Sequence, residues 1–361
     1  MSTAPRTLFV GRGKGAVCWY RCALPALYLD LDWIGVSGDP GSLRTVTGRP
    51  GVAAAEADWR DYEVVVVQQP RGRVWVDRIR ALQDVGVRVL FEIDDYIHAV
   101  RKSRDHDFRA AFGEEVVRDV ELAMRVCDGV ICSTPWLARR YRAFNATTYV
   151  CRNGLDLGRY ALTLPARDAV HIGWAGGTGH RRSVRPWLDA VAEVMRSRPA
   201  TRFVSIGQPF AKALQAEFGE ERCIAVPFTT LDCYPAAMAS FDVAIAPAGR
   251  TNFFRGKSDL RFLEAGALGQ AIVADPTLYD QVEHGVTGFL AETAAEAHPH
   301  LLALVDDADL RARVGAAARE YVHRERDMRV MSRQWAAALW AAVGREPDLG
   351  EANDPAQPSR T

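Results

Sequence analysis

Short apolar runs alternate with longer amphipathic stretches along nearly the whole chain, and this alternation restricts the fold more than any other feature. The predicted strands are Leu8–Gly11, Val64–Gln68, Val87–Ile93, Gly129–Cys132 and Thr148–Cys151, then Val170–Trp174, Arg202–Ile206, Ile224–Val226, Val243–Ala246, Ala271–Ala274 and Gly288–Leu290. Unbroken apolar runs suit strands covered on both faces, as parallel strands are. Predicted helices lie between them, including Arg73–Val85, Ala110–Cys127, Pro135–Phe144, Ser183–Arg198, Ala211–Phe218, Leu260–Leu268 and Leu310–Arg324. Strand–helix alternation predicts an α/β fold with doubly wound parallel sheets. The pattern runs twice, broken at 155–168, where Gly158 and Pro165 fit neither period. The expected architecture is two Rossmann-like domains facing a cleft: residues 1–154, a linker at 155–168, and residues 169–326. A helix at 327–344, with Met328, Met331, Trp335, Leu339 and Trp340 roughly on one face, is expected to cross back to the first domain. The tail 345–361, rich in Pro, Asp and Glu, reads as disordered.

The 361 residues carry 45 Lys+Arg and 45 Asp+Glu. A formal charge of zero argues against a general binder of nucleic acid or anionic membranes, which needs a basic excess. The seven cysteines are scattered and form no CxxC pair. That pattern fits reduced thiols in a cytoplasmic protein. The first residues form no signal peptide, and no run approaches the roughly 18 apolar residues of a membrane span.

Four constellations could carry chemistry. Gly11–Ala16 (GRGKGA) follows the first strand and matches the G-x-G-x-x-A form of the dinucleotide fingerprint, with Asp30 or Asp32 downstream as the ribose acid. Pro25 weakens that reading, because it should cut the following helix. The alternative is a loop whose Gly13 and Gly15 line a substrate cleft. Ile172–Arg182 (IGWAGGTGHRR) also follows a strand and opens a helix. Its Gly177, His180, Arg181 and Arg182 suit a diphosphate, since glycines admit backbone N–H groups to an anion and a helix start adds positive potential. Phe253–Gly269 (FFRGKSDLRFLEAGALG) places a glycine loop before a helix, with Lys257 at its mouth, Ser258 or Asp259 as N-cap, and Glu264 where packing needs no acid. Finally, Glu92–His98 (EIDDYIH) ends a strand with paired acids, where doubly wound sheets bind ligands. Polar residues follow at Arg101, Lys102, Asp105, His106, Asp107 and Phe108. A metal reading of these His and Asp residues is the weaker one.

The third segment resembles the donor-binding region of retaining GT-B glycosyltransferases of the GT4-like (group 1) family. KSDLRFLEAGALGQAIVAD is similar to the variant that opens with Lys-Ser, and HGVTGFL (284–290) resembles the later G-x-T-G-F/L-L loop. Asn153–Asp156 (NGLD) resembles the N-G-x-D that ends the first domain, and Tyr20–Pro25 resembles a Y-R-x-x-x-P stretch of some members. The resemblance covers roughly Leu8 to Val343. It implies a glycosyltransferase that moves a sugar from a nucleotide-diphosphate sugar to an acceptor hydroxyl, with retention and without a metal or other cofactor. Residues 1–154 would form the acceptor side and 169–326 the donor domain. Glu264 would bind the ribose hydroxyls as a two-oxygen acceptor, and the loop Gly256–Ser258 would meet diphosphate and sugar. Asp94, Asp95 and His98 are the expected catalytic residues, facing acceptor and reacting carbon. The chain departs from the E-x7-E pattern, since Gly256 stands where its first Glu belongs. That departure keeps open a nucleotide-sugar-binding homologue, epimerase or phosphorylase. A dinucleotide-dependent oxidoreductase is the remaining alternative. A metal-dependent GT-A enzyme would need Asp30/Asp32 or Asp105/Asp107 as its D-x-D. The acceptor, whether glycan, lipid-linked intermediate, natural product, protein or modified nucleobase, is not specified by these motifs.

Overall fold

The computed structural model describes residues 4–37, 43–52, 56–100, 112–162 and 167–346. The polar segment from Arg101 to Phe108 lies outside the described residues, as does the tail beyond Glu346. Two sheets organise the chain. The first contains β1 (Thr7–Arg12), β2 (Asp32–Ser37), β3 (Arg44–Gly48), β4 (Val64–Gln68), β5 (Arg88–Ile93), β6 (Gly129–Cys132) and β7 (Thr148–Val150), in the order β3-β2-β1-β4-β5-β6-β7. The second contains β8 (His171–Gly176), β9 (Arg202–Gly207), β10 (Cys223–Val226), β11 (Val243–Ala246), β12 (Ala271–Ala274) and β13 (Phe289–Leu290), in the order β10-β9-β8-β11-β12-β13. All pairings are parallel except β2 with β3. In each sheet the order reverses beside the first strand, at β1/β4 and at β8/β11. Ligands of doubly wound sheets collect beyond the strand ends at such points.

Every predicted strand is present. The central ones, such as β4, are buried along their whole length, which explains their unbroken apolar runs. Strands β2 and β3 were not expected. Strand β3 is an edge strand with exposed and half-buried positions, so its sequence RTVTG carries no apolar run. The helix Ala294–Asp306 was also missed, and it holds Pro299 inside it.

Pro25 does not end the helix after β1. The chain forms one α-turn (Ala16–Cys18), widens into a π-segment (Trp19–Ala23), and resumes as α-helix (Leu24–Tyr28) with Pro25 in its first turn. A first-turn position leaves the missing proline N–H without consequence.

The helix Met328–Ala342 returns to the first domain. Asp327 caps it by accepting from Arg329 N–H at 2.9 Å. Leu155 and Asp327 form an isolated parallel bridge, with Leu155 N–H donating to Arg326 O and Met328 N–H to Leu155 O. Trp335, 1% exposed, packs edge-on against Phe9 of β1 at 5.7 Å. Trp335→Ala should therefore cost about 3–5 kcal/mol of stability, read from urea unfolding. A loss below about 1 kcal/mol would show that this helix is not part of the first core.

Candidate active site

The loop after β1 turns sharply at Gly13, whose φ of 67° lies in the left-handed region open to glycine. Its N–H donates to Val36 O at 2.7 Å. Gly15 then caps the helical stretch that delivers Tyr20 and Arg21 from the π-segment. Both side chains are buried and reach the boundary between the two sheets. Arg21 Nε donates to Glu92 Oε1 at 2.6 Å, and its Nη1 donates to Cys151 O at 2.6 Å and Asn153 Oδ1 at 2.9 Å. Asn153 in turn donates to Ser258 Oγ at 2.8 Å, across to the second domain. Arg326 closes the same junction, donating to Asp259 Oδ2 at 2.5 Å and Asn153 O at 3.2 Å. Asp259 is thus occupied by Arg326 and makes no side-chain cap on the helix Leu260–Ala267.

A cleft of about 810 Å³ opens between the sheets. Its walls include Lys14 and Gly15 from the first domain and Gly177, His180, Arg261 and Glu264 from the second. Glu264 is 3% exposed on the helix Leu260–Ala267. Its Oε1 accepts from Tyr20 Oη at 2.8 Å and its Oε2 from Tyr234 Oη at 3.1 Å. The Tyr160 hydroxyl lies 3.1 Å from that of Tyr20. Burial pushes Glu264 up to about 7, against the pull of the two tyrosine donors and Arg261. One turn earlier, Arg261 donates from Nε to Ala175 O at 2.8 Å and lies over the Trp174 ring at 5.3 Å. Its position beside His180 (3.5 Å) sets a cation at the end of β8.

Lys257 reaches across the cleft to Asp95, with Nζ 2.9 Å from Oδ1. Asp94 accepts from Gln69 Nε2 at 2.7 Å. Burial, with Asp95 and Glu92 close by, holds the Asp94 carboxyl well above the ordinary range, which makes it a proton holder at neutral pH.

Of the expected residues, Gly15, Asp94, Asp95, Gly177, His180, Lys257, Ser258 and Glu264 meet at the cleft. Others do not. His98 faces a packed aromatic cluster: its Nε2 is 2.9 Å from Glu121 Oε1 and its ring stacks on Phe144 at 5.2 Å. Arg181 and Arg182 are exposed at the start of the helix Arg181–Ser197 and do not line the cleft. Gly13 supplies the turn but no cleft surface. Gly256 ends a short helix, Asn252–Gly256, where a loop was expected. A Cβ there would sit 3.0 Å from Tyr96 Cβ and 3.1 Å from Leu137 Cδ2, so the first acid of the E-x7-E pattern would crowd these side chains and require them to shift by a few tenths of an ångström. Asp30 and Asp32, the acids of the dinucleotide and D-x-D readings, pair with Arg49 or bond Tyr62 outside the cleft. The residues overlooked from sequence are Arg261, Tyr160 and Tyr234. The Y-R-x-x-x-P resemblance marks Tyr20 and Arg21 but assigns them no partner. No helix among the described residues is long and apolar enough to cross a membrane.

No family model and no curated protein matches the chain. Solved structures do. Anabaena Alr3699/HepE in complex with UDP-glucose is similar at a TM-score of 0.67 and 17% identity, over 93% of this chain and 100% of that one. Sucrose-phosphate synthase from Thermosynechococcus elongatus gives 0.64 at 14% identity, over 91% and 97%. A glycosyltransferase from Rickettsia africae gives 0.64 at 12%, over 94% and 99%. These neighbours are GT-B glycosyltransferases, and the chain has their fold: two α/β domains across a cleft.

The raised Glu264 makes stability depend on pH. The folded protein keeps this proton between the ordinary 4.5 and about 7, where the unfolded chain has released it. Stability contributed by this group is therefore full below pH 4.5 and is lost as pH rises through 7, at up to about 1.4 kcal/mol per unit. Unfolding curves of the wild type and Glu264→Gln should agree below pH 4.5, separate between pH 4.5 and about 7, and stay offset by a constant amount above it, with the variant the more stable. Parallel curves across the range would contradict the burial argument.

Proposed function

We propose that the protein is a glycosyltransferase that moves a sugar from a nucleoside-diphosphate sugar to an acceptor hydroxyl. The observation that carries this reading is Glu264, buried at the cleft floor with both oxygens engaged by hydroxyl groups, one turn from Arg261. A pentose offers two hydroxyls of the same kind. It replaces the tyrosine donors one for one, so the carboxylate is never left unsatisfied. Retention of configuration follows the motif resemblance. UDP is the first nucleotide to test, because the similar Anabaena protein is described in complex with UDP and with UDP-glucose.

The chemistry asks for little covalent work from the protein. Departure of the nucleoside diphosphate builds negative charge, and Arg261, Lys257, His180 and the loop amides at Gly177 are placed to receive it. These cations supply the neutralisation, so the reading needs no metal. Asp94 and Asp95 stand across the cleft, on the acceptor side. The Asp95–Lys257 pair links the two walls, and closing them excludes water from the reacting carbon. A second reading, nucleotide-sugar binding without transfer, draws on the packed Gly256, which brings no acid to the sugar. UDP release from UDP-glucose, measured with and without candidate acceptors, separates the two.

UDP at 100 times its dissociation constant should stabilise the wild type by about 2.7 kcal/mol. Glu264→Ala should lose most of that response. Asp95→Ala should keep it and lose transfer. An unchanged UDP response in Glu264→Ala would overturn the assignment.

A further inference from the structure

Two neighbouring glutamines serve two different acids at the end of the first sheet. Gln68 closes β4 and pairs in register with Glu92 of β5, and Gln69 follows it. Both are buried. Gln68 Nε2 donates to Glu92 Oε2 at 3.0 Å, and Gln69 Nε2 donates to Asp94 Oδ1 at 2.7 Å. Successive side chains of an extended strand point to opposite faces, whereas residues two apart, such as Glu92 and Asp94, share one. A straight continuation of β4 would therefore carry the second amide away from Asp94. The chain leaves that course at Gln69, whose φ of 40° lies in the left-handed region. This conformation is uncommon for a residue with a side chain, and Pro70, next in the chain, favours an extended predecessor. The Gln69 N–H still donates to Glu92 O at 2.9 Å, so backbone and side chain are both tied to the line of β5. A glycine would take the same turn without strain. The glutamine is thus explained by its amide and not by its backbone.

The three carboxylates at this corner are engaged differently. Glu92 is sealed on both oxygens, by Arg21 and by Gln68. Asp95 meets Lys257 across the cleft. Asp94 lines the cleft with Oδ1 held by Gln69, and no described residue bonds its Oδ2. An amide N–H makes Oδ1 an acceptor, so a proton carried by Asp94 sits on Oδ2. The amide therefore decides which oxygen is left for an incoming group. The charged groups that act on Asp94 are Glu92 and Asp95 on its own strand end, Arg21 from the helical stretch after β1, Arg12 at the end of β1, and Lys257 from the second domain.

We propose that Gln69 is a positioning residue for sugar transfer: its amide fixes the Asp94 carboxyl so that Oδ2 holds the acceptor hydroxyl against the reacting carbon. The proposal rests on the glycosyltransferase reading and adds to its machinery a residue that does not itself line the cleft. Asp94 holds the hydroxyl by a hydrogen bond and ends the step with the proton count it began with. The acceptor oxygen bonds the anomeric carbon, and the bond from that carbon to the diphosphate oxygen breaks with its electrons on the diphosphate. The hydroxyl proton leaves on the same group.

The test compares the wild type with Gln69→Leu, which removes the amide, and with Gln69→Gly, which removes the amide and suits the turn. Carboxyl-carbon NMR of aspartate-labelled protein, with Asp94→Asn locating the signal, reads the Asp94 titration. An N–H donor favours the ionised carboxylate, so its loss should raise the midpoint by about one pH unit in both variants. UDP release from UDP-glucose, with water and with free glucose as acceptors, should fall by about tenfold or more in kcat. KM for UDP-glucose and the thermal response to UDP should stay unchanged, because the donor contacts are untouched. A residue that only shapes the turn predicts an unchanged titration and kcat in Gln69→Gly. That result, or a loss confined to KM, overturns the proposal. Should Gln69→Leu not fold, Gln69→Gly carries both readouts. Absence of UDP release by the wild type removes the glycosyltransferase reading and this role with it. An Asp94 titration that does not move in the variants, beside normal turnover by the wild type, removes the role alone.

Discussion

Arg21 carries a full positive charge at 1% exposure, and such a charge is tolerated only where partners replace the water it has lost. Its partners come from three places in the chain. Glu92 is the penultimate residue of β5, Cys151 and Asn153 follow β7, and Trp335 of the returning helix lies under the guanidinium at 4.7 Å. A helix with the ordinary α-pitch throughout would have to accommodate Pro25 as a break. The π-segment delivers Tyr20 and Arg21 as adjacent buried residues and restarts the helix with Pro25 in a harmless position. Removing either partner of the Arg21–Glu92 pair leaves an uncompensated buried charge, which is far worse than replacing both.

From this junction the contacts spread to the cleft. Asn153 hands its amide to Ser258, and Arg326 holds Asp259, so the segment in front of the Glu264 helix is fixed by residues of the first domain and the returning chain. Lys257, between Gly256 and Ser258, meets Asp95 on the opposite wall. The domain boundary at the cleft is therefore polar: Tyr20 with Glu264, Lys257 with Asp95, Asn153 with Ser258. Polar boundaries of this kind separate and re-form more readily than apolar ones, and each of these groups can exchange its partner for a ligand hydroxyl or phosphate oxygen.

The sheets are largely legible in the sequence because their strands are buried on both faces. FEID, ICST and VAIAP announce themselves as apolar runs ending in polar residues at the strand ends. The β2–β3 pairing is not legible, since an edge strand half open to water keeps the composition of a loop. At the site, Glu264, Lys257 and Gly177 are recognisable because each interrupts a local pattern: an acid on an apolar helix, a cation at a helix mouth, glycine after a strand. Tyr20 is a different case. Its partner Glu264 lies 244 residues away, and nothing local marks a tyrosine as the occupant of another domain's carboxylate. His98 misleads for the converse reason. A histidine after paired acids has the look of chemistry, yet its ring is absorbed by Phe144 and Glu121. Gly256 departs from the family pattern, and an added Cβ there would lie 3.0 Å from Tyr96 Cβ and 3.1 Å from Leu137 Cδ2, so a larger residue would crowd both.

The central claim is that the nucleotide sits between the two sheets with its pentose on Glu264. A crystal structure with UDP bound tests it most directly. The account predicts both ribose hydroxyls on the Glu264 carboxylate in place of Tyr20, with the diphosphate against Arg261 and the Gly177 loop. A pentose lodged beside Gly13 and Gly15, with Tyr20 still on Glu264, would contradict it.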